Sequence, residues 1–171
     1  FFNYTINYDK RNQSFKPTSG FKSKFTQNIP IISETFSLSN TYDYKIYKEL
    51  FEKNITSLGF YLSSTNSISG KNIKLSDRLF VPSSKLRGFA QGKIGPKDGN
   101  DYIGGNHLVT FNASSTLPQI FPNIQNTDFS IFYDAAHLWG TDYDTSLSQD
   151  NKLRSSIGIA LDFLTPVGPL N

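Results

Sequence analysis

Phe36-Ser37-Leu38-Ser39-Asn40-Thr41-Tyr42-Asp43-Tyr44-Lys45-Ile46 decides the fold class. Phe36, Leu38, Tyr42, Tyr44 and Ile46 fall on one side of a period of two, and Ser37, Ser39, Thr41, Asp43 and Lys45 on the other. Such alternation marks a β-strand with one apolar and one polar face. It recurs along the chain. Upstream, Phe2, Tyr4, Ile6 and Tyr8 alternate with Asn3, Thr5, Asn7 and Asp9, and a weaker strand over about 21–28 puts Lys22, Lys24, Thr26 and Asn28 on one face. Downstream, Leu58, Phe60 and Leu62 oppose Ser57, Gly59 and Tyr61 in a strand over about 54–64. Val109, Phe111 and Ala113 oppose Thr110, Asn112 and Ser114 in the next, over about 107–116. Phe129, Ile131, Tyr133 and Ala135 then oppose Ser130, Phe132, Asp134 and Ala136, and Trp139 closes that strand. Ile157, Ile159, Leu161 and Phe163 oppose Arg154, Ser156, Gly158, Ala160 and Asp162 in the last.

Seven strands of about 9–12 residues exceed the usual 5–6 of soluble sheets and match the 9–11 that a tilted strand needs to cross a bilayer. The composition agrees. Of 171 residues only 37% are hydrophobic, while 15% are aromatic, with 15 Phe and 9 Tyr. Low hydrophobicity with many aromatics and period-two alternation is what a transmembrane β-barrel shows, because half of each strand faces water. A soluble β-sandwich shares the alternation, but strand length and the Tyr, Phe and Trp at strand ends favour the barrel. No run approaches 18 apolar residues, so no transmembrane helix is expected.

Between the fourth and fifth strands lies a non-periodic stretch of about 66–106, containing Lys85-Leu86-Arg87-Gly88-Phe89 and Gln91-Gly92-Lys93-Ile94-Gly95-Pro96. Loops this long in compact proteins are functional or disordered. Leu79, Phe80, Val81, Leu86, Phe89 and Ile94 make this one too apolar for a solvated tail, so it is expected to fold back and pack. Gly88 beside Phe89 predicts a tight turn. Arg87 places a permanent charge there, which needs an acidic partner if buried.

Catalytic chemistry finds little support. His107 and His137 have no ligand-spaced partner and read as strand-end polar residues; Asp142, Asp144 and Asp150 read as a solvated loop cluster without EF-hand spacing. No nucleophile elbow or phosphate-cradling glycine pattern is present. The reading is of a non-enzyme with no cofactor and no metal. The net charge of +3 comes from lysines spread along the chain, so no nucleic-acid partner is expected. There is no Cys and no Met, even at position 1, which leads to the expectation of an internal fragment of a longer protein.

Leu86-Arg87-Gly88-Phe89, followed by Gly92-x-Ile94-Gly95-Pro96 and Gly104-Gly105-Asn106, resembles the BamA-type family of outer-membrane assembly factors. Asp9-x-Arg11 with Pro17-Thr18-Ser19-Gly20 resembles that family's D-x-R…P-T-S-G turn, and Phe132-Tyr133-Asp134-Ala135 its F-x-D-x-G motif. Arg154-x-Ser156-x-Gly158 and Thr165-Pro166-Val167-Gly168-Pro169-Leu170 resemble motifs near the barrel's end. Pro82-Ser83 stands where the family usually has Gly-Gly, and Ala136 where F-x-D-x-G has its last glycine.

The resemblance implies an all-β, antiparallel transmembrane β-barrel in the bacterial outer membrane. Residues 1–171 would be about strands eight to fourteen of sixteen, with a lumenal loop over about 66–106. It implies insertion of β-barrel proteins, with unfolded outer-membrane proteins as clients, lipid around the wall and accessory lipoproteins as partners. Periplasmic polypeptide-transport-associated modules would lie elsewhere in the protein. A secretion pore of the same superfamily is the alternative, and a passive diffusion porin a more distant one. The family's strand after the loop commonly supplies an inward carboxylate for the motif arginine. The matching position here is Ser114, so Asp134, beside Phe132, is the expected partner of Arg87, with Ser114 an auxiliary acceptor.

Overall fold

The computed structural model describes residues 2–31, 36–117, 127–142, 152–165 and 168–170. Strands β1 (Phe2–Asp9), β2 (Gly20–Ile29), β3 (Ser37–Phe51) and β4 (Asn54–Ser67) come first. Short β5 (Lys97–Asp98) and β6 (Asp101–Tyr102) follow, then β7 (His107–Leu117), β8 (Thr127–Trp139), β9 (Arg154–Thr165) and β10 (Gly168–Leu170). One antiparallel meander contains them in the order β1-β2-β3-β4-β7-β8-β9-β10, while β5 and β6 form a separate two-stranded ribbon. The seven long strands are those read from the alternation; β5, β6 and the three-residue β10 are additional. The connection between β7 and β8, most of the loop after β8, and Pro166-Val167 lie largely outside the described residues, and Asp144 and Asp150 with them.

β3 and β4 run beyond the alternating core, to Phe51 and Ser67. Glu52 and Lys53 join them, and Lys53 takes the left-handed conformation, with φ 60°. Polar Lys48 and Glu49 hide this extension from a periodicity reading, although both still pair with β4.

Register assigns each side chain to a face. Phe25, Tyr42, Leu62 and Val109 share one row; Tyr44, Phe60 and Phe111 the next; Ile46, Leu58, Ala113, Tyr133 and Ile157 a third. Most of these apolar side chains are exposed. Phe60 and Phe111 contact ring to ring at 5.1 Å, with Tyr133 beyond at 6.3 Å. The opposite face carries Lys22, Lys45, Gly59, Asn112, Asp134 and Ser156 in one row and Lys24, Asp43, Tyr61, Thr110, Ala136 and Arg154 in the next. A sheet that exposes its apolar face and covers its polar one is inverted relative to a soluble protein. Its arrangement is that of a bilayer-spanning wall.

The buried apolar cluster lies on the polar face, where the 68–106 segment covers it. Val81, Leu86 and Ile94 from the segment meet Leu108, Ala136 and Leu138 from β7 and β8. The segment is more ordered than expected of a loop, with 3-10 turns at Leu75–Asp77 and Ser83–Lys85 and a bridge between Leu79 and Gly105.

Candidate functional site: the loop clamp

The loop reaches the sheet through its motif residues. Leu86 is 2% exposed, and Ile94 and Pro96 are buried. Gly95 has φ +101°, and a Cβ there would stand 2.7 Å from Leu138 Cδ2, so only glycine allows this approach. Gly88 turns the chain with φ +82°. Phe89 and Phe80 keep over a third of their surface open, so these two rings are less packed than their hydrophobicity predicted. Gly92 also takes a positive φ, with open space around its α-carbon.

Arg87 meets Asp134 in a two-pronged pair. Arg87 Nε donates to Asp134 Oδ2 at 2.7 Å, Nη2 donates to Oδ1 at 2.8 Å, and the Arg87 backbone N–H donates to Oδ2 at 3.1 Å. The Asp134 side chain is fully buried, while Arg87 retains 34% exposure. Planar guanidinium geometry suits this bidentate contact, and the buried carboxylate has its desolvation offset by several charge-assisted donors.

The second polar group on Asp134 is Asn112, directly across the β7–β8 ladder, rather than Ser114. Asn112 Nδ2 donates to Asp134 Oδ1 and to the Lys85 carbonyl, both at 2.8 Å. Ser114 faces Phe132 across the ladder and lines the cleft below Arg87. It sits two residues from the observed contact, Asn112, on the same face, a shift that periodicity cannot resolve. The cleft, about 790 Å³, is also lined by Lys45, Ser57 and Ser130.

Phe132 supports the arginine from behind. Arg87 Cζ lies 3.6 Å from its ring centroid. The ring's other neighbour is Gly158, paired with Phe132 in the ladder. A Cβ on Gly158 would stand 2.7 Å from Phe132 Cζ. Gly158, Phe132 and Arg87 therefore form a stack ending at Asp134. Gly158→Ala is expected to push the ring off its seat and cost about 1–3 kcal/mol of overpacking. Urea titration of the heat-modifiable folded form of the full-length protein measures this, and an unchanged midpoint would show that the ring moves freely.

Lys85 adds a second ion pair, with Nζ 2.9 and 3.0 Å from the Asp43 carboxylate oxygens and 5.0 Å above the Tyr61 ring. At the other end of the sheet, Arg11 grips Asp9 through Nε at 2.8 Å and Nη2 at 2.6 Å, closing the 10–19 turn. Lys16 from that turn pairs with Asp128 at the start of β8. Sequence reasoning missed the pair of Arg78 with Asp142, because Asp142 read as a solvated loop carboxylate. His107 and His137 flank Trp139, at 5.6 Å and 4.5 Å between ring centroids.

Among known proteins, the Omp85 superfamily domain matches residues 1–171. Outer membrane protein assembly factor BamA of Neorickettsia risticii (strain Illinois) is 27% identical over 173 residues, covering 98% of this chain and 23% of that protein. A SAM50-like protein of Schizosaccharomyces pombe is 38% identical over 63 residues, covering 36% of this chain and 13% of that protein. Among solved structures, the crystal structure of BamA from Haemophilus ducreyi lacking POTRA domains 1-3 superposes with a TM-score of 0.85 and 28% identity, over 98% of this chain and 36% of that one. The chain thus spans less than a quarter of the length of these curated relatives.

Proposed function

Because the chain belongs to the Omp85 superfamily of outer-membrane β-barrels, we propose that it is the wall-and-loop segment of an outer-membrane protein insertase. In this reading residues 1–171 are about strands eight to fourteen of a sixteen-stranded barrel, and the 68–106 segment lies in its lumen. The observation that carries it is the Arg87–Asp134 clamp, which seats the loop on the polar face. Clients are unfolded β-barrel proteins, the wall contacts lipid, and accessory lipoproteins assist. Leu86, Arg87, Gly88, Phe89, Gly92, Ile94, Gly95 and Pro96 form the functional loop, and Phe132, Asp134 and Ser114 line its seat. The chain provides bracing and no bond chemistry.

Porins also fold a loop inward, so the ordered motif set from Leu86 to Pro96, rather than the seated loop itself, speaks against a passive pore. The relative named as an outer membrane protein assembly factor supports assembly over secretion. Reconstitution of the full-length protein in vesicles tests the reading. It should accelerate folding of an unfolded β-barrel client, scored by protease protection, and Arg87→Ala should remove most of that acceleration. Solute flux without client folding would replace the insertase reading with a pore.

A further inference from the structure

Away from the clamp, a second buried guanidinium is used by none of the contacts that seat the loop tip. The Arg78 side chain is fully buried, and its Nη2 lies 3.0 Å from Asp142 Oδ1. Asn106 Nδ2 donates to the same Oδ1 at 3.4 Å, and the Ile73 backbone N–H donates to Oδ2. One carboxylate therefore gathers the rising limb of the loop, the residue before β7 and the segment after β8. Next to Arg78, Asp77 Oδ2 accepts a hydrogen bond from Ser37 Oγ at 2.9 Å, which ties the same turn to the start of β3.

Backbone bonds close the base of the loop at this level. Leu79 and Gly105 exchange N–H···O bonds of 2.8 and 3.0 Å, and Asn106 N–H reaches the Trp139 carbonyl at 3.0 Å. Residues 80–104 thus emerge from a base that is already cross-linked. Among the described residues, the tip is tied to the wall by Arg87 with Asp134, Lys85 with Asp43, and Asn112, which bonds both Asp134 and the Lys85 carbonyl; none of these side chains takes part in the contacts of the base.

We propose that Arg78 and Asp142 form a second latch, which positions the base of the loop independently of the Arg87–Asp134 clamp. The tip can then leave the wall while the base stays. Removing one latch opens one end, because the two latches share no polar partner; Leu79 at the base and Leu86 and Ile94 at the tip meet only in the apolar cluster around Leu138. This concerns the loop's mechanics and stands whether or not the insertase reading does.

The chain has no cysteine, so a reporter placed in it is the sole thiol of this segment, and any cysteine elsewhere in the full-length protein is first replaced by serine. Ile94→Cys reports the tip and Ile73→Cys the base; both positions are buried. Maleimide labelling rates are measured on the folded full-length protein in membranes. Arg87→Ala is expected to speed labelling at residue 94 by about tenfold or more and to leave residue 73 within about twofold. Asp142→Asn should do the reverse. Should Asp142→Asn fail to fold, Arg78→Gln removes the charge from the other side of the pair and is expected to expose residue 73 alone. The proposal falls if either variant exposes both reporters, if Arg87→Ala leaves residue 94 protected, or if the folded Asp142 or Arg78 variant leaves residue 73 protected.

Discussion

Ile157→Arg in the full-length protein is expected to destabilise the folded barrel by about 2–4 kcal/mol. Ile157 is 77% exposed within the chain. In a soluble protein an exposed position of this kind tolerates substitution within about 0.5 kcal/mol, because little is packed against it. Here Ile157 continues a row with Tyr133, Ala113, Leu58 and Ile46 on the face that carries the exposed apolar side chains. The guanidinium would enter hydrocarbon, and the cost is set by lipid rather than by neighbouring residues. Thr26→Arg is the matched control. Thr26 faces the other way, in line with Lys24 and Asn28, its hydroxyl meets Thr5 Oγ1 at 3.1 Å in an exposed contact, and its replacement is expected to change stability by no more than about 1 kcal/mol. Urea midpoints of the heat-modifiable form in vesicles compare the two. Equal shifts would mean that the apolar face meets water instead of lipid.

That contrast was legible in the sequence because a β-strand enforces its period. Once Tyr42, Tyr44 and Ile46 alternate with Thr41, Asp43 and Lys45, each face follows without knowledge of neighbours. What pairs across strands was less legible. Asn112 and Ser114 share a face two residues apart, and only the β7–β8 register decides that Asn112 stands opposite Asp134. The sequence between the two strands carries no two-residue turn signal from which the register could be read. The extension of β3 to Phe51 was hidden for a related reason: Lys48 and Glu49 look like loop residues until their pairing with β4 is seen. Arg78 and Asp142 are 64 residues apart, and no local pattern joins them. Arg87 and Asp134 were brought together by motif resemblance and by the apolar character of the loop, which made a buried charge, and hence a partner, necessary.

The clamp itself should show the largest and most asymmetric effects. Arg87→Ala leaves the carboxylate of Asp134, whose side chain has no solvent exposure, without its cation. Breaking a buried pair from this side is expected to cost about 3–5 kcal/mol, with the Asn112 amide holding the loss toward the lower end. Asp134→Ala leaves Arg87, which is 34% exposed and can be hydrated, so its cost is expected to be lower, about 1.5–3 kcal/mol. The double variant should cost less than the sum, with a coupling of about 1.5–3 kcal/mol for a charge-assisted bidentate contact. Arg87→Lys should recover under half of the Arg87→Ala loss. An ammonium lacks the two-pronged geometry and gives up the planar stack on Phe132, where the guanidinium carbon sits 3.6 Å from the ring centroid. Asn112→Ala removes one donor from Asp134 and one from the Lys85 carbonyl, and is expected to cost about 1–2 kcal/mol. A double-mutant cycle on urea unfolding of the full-length protein measures the coupling. Strict additivity of Arg87→Ala and Asp134→Ala would mean that the ion pair contributes nothing to the seat, which the apolar cluster of Leu86, Ile94 and Leu138 and the Lys85 contacts would then hold.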